Sequence, residues 1–235
     1  MRSAGDRSSR LVWDLPVRIT HWLLALCVPL AWLTHELGTE YFRWHVYNGY
    51  TVAILVVFRL AWGIVGTRHA RFSSFLRGPV AVVRYLRSSR GELHQASAGH
   101  NPAGGWMVVV LLALCGLQAS TGLFANDQIF NTGPFYGWVT ASTSERLSSL
   151  HRRSYDWLLI AVAIHVLAVI VYLVAGKGNL VAPMLTGRKP AREVADEQAI
   201  RSSRLPLAGT IALIAAGALA LAVRLAPEAT LSVSF

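Results

Sequence analysis

The stretch LHRRSYDWLLIAVAIHVLAVIVYLVAG, residues 150–176, decides the fold. From Trp157 onward it is almost unbroken apolar sequence, and about 20 such residues, each rising about 1.5 Å, cross the hydrocarbon of a bilayer. Yet it carries His151 near its start and His165 well inside. Ionisable side chains in a membrane helix are costly and point to function by default. Fourteen residues are nearly four helical turns, so the two imidazoles project from nearly the same face, about 21 Å apart along the axis. One metal ion cannot bind both; two separate sites on one helix can.

The rest of the chain agrees with a membrane setting. It has 235 residues, of which 54% are hydrophobic and only 14% charged, outside the range of ordinary soluble domains. Besides residues 150–175, four segments reach spanning length: residues 15–37, 45–65, 103–124 and 205–225. Asp14 is placed to cap the first, and Pro16 suits its first turn. Asn101 and Pro102 stand in the same way before the third. The net charge of +10 comes from residues that flank apolar runs, not from a basic domain, so nucleic acid is not an expected partner. Cys27 and Cys115 lie within apolar segments, where a thiol packs as a small hydrophobe. There is no CxxC and no CxxCH, which excludes a thiolate zinc site and a covalently attached haem. The first apolar segment runs into THELGTEYF without an A-x-A-like cleavage site and reads as a retained helix.

Orientation follows from the basic residues. Arg2, Arg7, Arg10 and Arg18 lie at the N-terminal end, and Arg68, Arg71, Arg77, Arg84, Arg87 and Arg90 join the second and third spans. Lys177, Arg188, Lys189, Arg192, Arg201 and Arg204 follow the fourth. These segments are expected to be cytoplasmic, which puts the tail ending at Phe235 outside. The expected organisation is a cytoplasmic tail over 1–14, a transmembrane domain over 15–187, a charged and solvated linker over 188–204, and a fifth helix with a short outer tail over 205–235. Residues 125–149 read as a long outer loop, with Phe130, Phe135, Tyr136 and Trp138 lining the membrane interface or serving a function.

Depth sorts the histidines. The first span enters from the cytoplasm and the fourth from outside, so His21 and His165 can share a level. His45 and His151 open the second and fourth spans at the outer side and can share the other. Two neutral imidazoles from facing helices suit six-coordinate haem iron with both axial positions closed, which favours electron transfer over oxygen chemistry. Interhelical hydrogen bonding and proton relay are the competing readings. Zinc fits less well, because two imidazoles per level fall short of its usual four ligands.

The motifs WDLPVRITHW, HVYNGYTVAILVVFRLAWGIVG, ARFSSFLRGP, GHNPAGGWM and LVAPMLTGRK, spread over residues 12–189, resemble the bacterial cytochrome b-561 family, which includes the membrane cytochrome b subunit of nickel-iron hydrogenases. The resemblance implies an all-α membrane protein built on a four-helix haem-binding bundle with two b-type haems. One histidine from the first helix, one from the second and two from the fourth would ligate the iron; here these are His21, His45, His151 and His165. The fifth, C-terminal transmembrane helix departs from the family's core. Its Ala208, Ala212, Ala216 and Ala220 form a small-residue stripe suited to packing on the bundle or on a second copy in a homodimer.

Arg18, three residues before His21, and Arg152 and Arg153, beside His151, are candidate partners for the anionic haem propionates, or simple interfacial anchors. Arg59 lies deeper in the second span and is the more suggestive position. Gly49 and Gly63 can admit a flat macrocycle or a neighbouring backbone. His100 reads as a supporting or quinone-contacting residue, and His35, His69 and His94 have no assigned role. The expected function is transmembrane electron transfer between a quinone pool and a soluble or peripheral redox partner, a periplasmic cytochrome c or a hydrogenase. The alternative is an anchor and relay subunit without catalysis of its own. Quinone is the candidate substrate, and the bacterial inner membrane and its lipid are the expected setting.

Overall fold

The computed structural model describes residues 8–87, 98–129, 131–176 and 178–227. Arg2, Arg7, Arg90, His94, Phe130, Lys177 and the tail ending at Phe235 lie outside the described residues. In chain order the elements are β1 (Ser9–Leu11), α1 (Leu15–Glu36), α2 (Phe42–Val65), α3 (Phe72–Phe75), α4 (Pro79–Arg87), α5 (Pro102–Leu123), α6 (Ala141–Val174), α7 (Val181–Thr186), β2 (Arg188–Pro190) and α8 (Leu205–Leu225), with short 3-10 turns between some of them. Five of the helices, α1, α2, α5, α6 and α8, are long and apolar enough to cross a membrane. Many of their exposed positions are large and apolar: Ile64 is 72% exposed, Leu213 75% and Val174 81%. Such surface is unfavourable in water and at home in hydrocarbon, where a helix satisfies its own backbone. The chain is an all-α, multi-pass membrane protein.

Local chemistry sets the helix ends. Asp14 Oδ1 accepts from Val17 N at 2.7 Å, and Asn101 Oδ1 accepts from Gly104 N at 2.7 Å, so both anticipated caps form. Gly187 closes α7 at a φ of +80°, a conformation that favours glycine. Its carbonyl accepts from Val12 N and Trp13 N, tying the turn to the residues before α1.

Two expectations change. α6 begins at Ala141, well before residue 150. Hydropathy marks where the apolar run starts, whereas the helical backbone continues into the polar ASTSERLSS. Thr140 Oγ1 accepts from Thr143 N at the new start. Ser144 and Ser148 are buried there: Ser144 Oγ donates to the Phe124 carbonyl at 2.6 Å, and Ser148 Oγ accepts from Asn126 N at 2.9 Å. His151 therefore lies inside α6 rather than at its opening. The aromatic loop is correspondingly shorter, and its Phe135 is buried against Phe124 and stacked on Trp138.

Residues 188–204 are also more than a solvated linker. β2 pairs antiparallel with β1, Ser9 opposite Pro190 and Leu11 opposite Arg188. Arg10 forms an ion pair with Asp196 at 2.6 Å and donates to the carbonyls of Ala191 and Val194, while Val194 is buried. Three-residue strands separated by most of the chain carry no local hydrophobic signal, so this pairing cannot be read from composition.

The chain divides into two compact units. The first comprises Met1–His21, Arg59–Val110 and Ala161–Gly209, with Val12, Asp14, Trp62 and Val194 among its most deeply buried side chains. The second comprises Trp22–Phe58, Leu111–Ile160 and Thr210–Phe235. Cys27, Val56, Leu112, Cys115 and Leu158 belong to its core. Within this second unit Ala215, Ala218 and Leu219 of α8 line a groove with residues of α2 and α5, including Val56, Gly116 and Ala119.

Candidate functional site

In the first unit α1 and α6 bring His21 and His165 together. Their ring centroids are 6.3 Å apart, with planes inclined at 64°, and both residues are half-buried. In the second unit α2 and α6 do the same for His45 and His151, with centroids 6.2 Å apart and planes at 83°. Two axial imidazoles on opposite sides of one metal ion, each bonded at about 2 Å, have ring centroids about 6 Å apart. Both pairs have that spacing.

The second pair also has its ring nitrogens sorted. His45 Nδ1 lies 3.1 Å from the Ala31 carbonyl and 3.2 Å from Thr34 Oγ1. His151 Nδ1 lies 3.0 Å from the Gln118 carbonyl and 3.2 Å from Thr121 Oγ1. A carbonyl can only accept, so Nδ1 of each ring carries the proton and Nε2 keeps its lone pair for a metal. Gln118 Nε2 donates to the His151 carbonyl at 2.8 Å and to Ser154 Oγ at 3.1 Å, which fixes the backbone that carries the ring. Such supports orient ligands and raise their basicity. Sequence reading missed Thr34, Gln118, Thr121 and Ser154, whose only signal is polarity within apolar helices.

Space around the pairs is uneven. A Cβ on Gly122 would come within 2.8 Å of His151 Cε1, so glycine there is what lets α5 approach the ring. A Cβ on Gly49 would meet nothing within 4 Å, leaving room one turn beyond His45. Gly63 instead accommodates the Phe72 ring, an ordinary packing role. His35 is exposed, with its ring 6.4 Å from that of His45, a proximity the sequence did not signal. Among the described residues no three His, Cys, Asp or Glu side chains gather as a metal site, so a tetrahedral zinc centre is not formed there.

The arginines differ in their surroundings. Arg18 donates through Nε to the Met184 carbonyl at 3.4 Å and through Nη2 to that of Leu185, so two of its donors serve the end of α7. Arg152 and Arg153 are exposed on α6. Arg59 is buried, with its guanidinium 5.0 Å above the Phe72 ring.

His100 lies between aromatic rings, 4.6 Å from Trp13 and 4.5 Å from Phe75 by centroid. Burial, and then nearby basic groups led by the Arg59 guanidinium, push its pKa down to about 3, so the ring is neutral near pH 7. His69 is also shifted down, mainly by burial, while its Nε2 lies 2.7 Å from the Gln198 carbonyl. Asp14 joins the same unit: Oδ2 accepts from Trp62 Nε1 at 3.1 Å and from Thr67 Oγ1.

Residues 12–187 match the family described as prokaryotic cytochrome b561. The chain is also similar to a protein of Rhodobacter capsulatus named a probable Ni/Fe-hydrogenase B-type cytochrome subunit, at 25% identity over 82% of this chain and 86% of that protein. A protein of the same name from Bradyrhizobium diazoefficiens is 22% identical over 81% of this chain and 90% of its own length. Three-quarters of the chain lies within the family match, and the five apolar helices are consistent with it. The chain therefore belongs to the prokaryotic cytochrome b561 family, a family of b-type haem membrane cytochromes.

Proposed function

We propose that this protein is a di-haem b-type cytochrome that carries electrons across the bacterial inner membrane, between the quinone pool and a soluble or peripheral redox partner of a respiratory chain. The observation that carries this reading is the spacing of the two histidine pairs, 6.3 Å for His21 with His165 and 6.2 Å for His45 with His151. Each pair would hold one haem through its two imidazoles, with one residue of each pair carried by α6. A haem bound there would supply reversible one-electron chemistry.

The residues of the chain would bind, orient and insulate that group. The Ala31 and Gln118 carbonyls, with Thr34 and Thr121, hold the His45 and His151 tautomers that present Nε2. The apolar helix faces would keep water from the iron and set its potential. Arg152 and Arg153 beside His151, and Arg18 through the part of its guanidinium not given to α7, are candidate propionate partners. The basic segments on one side of the spans support a cytoplasmic N-terminus.

The test is a reduced-minus-oxidised spectrum with haem quantification on protein made under haem-sufficient conditions. Two b-type haems per chain are expected; a preparation without haem contradicts the proposal.

The names of the relatives support a second reading, that the chain relays electrons as the membrane subunit of a nickel-iron hydrogenase. Rapid reduction of the isolated protein by quinol favours a quinone site in this chain. Reduction that always requires a hydrogenase or a cytochrome c favours the relay subunit.

A further inference from the structure

Arg59 is the buried cation for which the proposed function gives no use. It is only 5% exposed, and its Nη1 is buried without a hydrogen-bond partner among the described residues. A buried guanidinium with an idle donor is costly, and an anion placed against it removes the cost. Asp14 attracts it from a distance, but the Asp14 carboxylate already serves Val17 N, Trp62 Nε1 and Thr67 Oγ1. The Phe72 ring beneath the guanidinium offers no acceptor in the plane of its N–H groups.

The surroundings of His100 are rich in basic side chains, Arg59 among them. His100 lies within electrostatic reach of Arg59, His69, Lys189 and His21, so one ring is near both Arg59 and the His21 side chain. All of these residues belong to the first compact unit, which also holds His165. Arg59 follows His45 on α2 by fourteen residues, the interval that separates His151 from His165 on α6.

We propose that Arg59 is the buried receptor for a carboxylate of the haem held between His21 and His165, donating through Nη1 to a propionate oxygen. The assignment rests on the function proposed above. It gives this haem an anchor inside the protein that Arg18, turned toward α7, is not needed to supply. The pairing is a charge-assisted hydrogen bond at a buried site, where truncating one partner accelerates dissociation.

The experiment uses the full chain in detergent, as wild type, Arg59→Gln and Arg59→Lys, each loaded with protohaem or with its dimethyl ester, whose propionates carry no charge. The readouts are the rate of haem transfer to an excess of a haem-scavenging apoprotein and the reduction potential of each haem. With protohaem, Arg59→Gln is expected to release one of the two haems about tenfold faster. That haem is also expected to have a lower potential, since a lost positive charge favours the ferric state. Arg59→Lys is expected to restore much of both, and with the ester, wild type and Arg59→Gln are expected to release haem alike.

Equal release of protohaem by wild type and Arg59→Gln overturns the assignment. So does the same acceleration with protohaem and ester, which marks a purely structural role. If Arg59→Gln fails to assemble, the wild type decides alone: ester released no faster than protohaem overturns the assignment. A wild-type chain that binds no haem contradicts the proposed function itself, an outcome distinct from full occupancy with unchanged release.

Discussion

Gln118 holds His151 from two directions. Its main-chain carbonyl faces Nδ1 at 3.0 Å, and its side-chain amide donates to the His151 carbonyl at 2.8 Å. One residue of α5 thus sets both the direction of the ring and the register of α6 against it. Three positions on, Thr121 adds its hydroxyl at 3.2 Å. α1 repeats the construction for His45 with Ala31 and, three positions on, Thr34. In each case the threonine hydroxyl also bonds back to the carbonyl four residues earlier, Leu30 or Leu117. The segments AWLT and QAST thus present a carbonyl and a hydroxyl from one helix turn to an incoming imidazole.

The glycines of α5 give a contrast within one helix. A Cβ at Gly122 would press on the His151 ring, whereas one at Gly116 would meet Val56 Cγ1 at 3.5 Å, ordinary contact. Gly122→Ala is expected to weaken retention of the haem proposed at His45 and His151 by about tenfold or more, as losses around metal ligands do. Gly116→Ala is expected to leave it unchanged. Haem-transfer kinetics on the two variants check this.

Asp14 caps α1 and accepts from two further donors of the first unit, Trp62 and Thr67, while being only 1% exposed. Asp14→Ala removes the cap and leaves the donors unsatisfied, an expected loss of about 2 kcal/mol or more. The exposed hydroxyl of Ser203, which accepts from Leu15 N, is the control: Ser203→Ala is expected to cost well under that. Thermal midpoints in detergent compare the two.

Acid should destabilise the first unit through His100. Its folded pKa of about 3 lies below the ordinary imidazole value of 6.5, so the unfolded chain binds more protons between these values. The contribution to stability is complete above pH 6.5 and is lost as pH falls toward 3, at up to about 1.4 kcal/mol per pH unit. His69, also shifted down, acts in the same direction. His100→Gln is expected to flatten the decline in thermal midpoint between pH 6.5 and 4. An unchanged slope would contradict the assignment.

The legible parts of the molecule were those written as long apolar runs or as expensive exceptions to them. All five spanning helices follow from hydropathy, and α8 matches its anticipated ends because arginines bound its apolar run on both sides. The nearness of His21 to His165 and of His45 to His151 could be anticipated because an imidazole in such a run stands out. The start of α6 was not legible, because its first turns are polar and are held by Ser144 and Ser148 against distant residues. The β1–β2 pairing and the Arg59 environment depend on contacts between remote segments, which periodicity within one segment does not encode.

The central claim is that each histidine pair holds its own haem. Pyridine haemochromogen quantification of wild type, His165→Ala and His151→Ala, combined with redox titration, tests it most directly. Two haems per chain are expected in the wild type and one in each variant, with different potentials for the haem that remains. A wild type without haem, or two variants that lose the same haem, would contradict it.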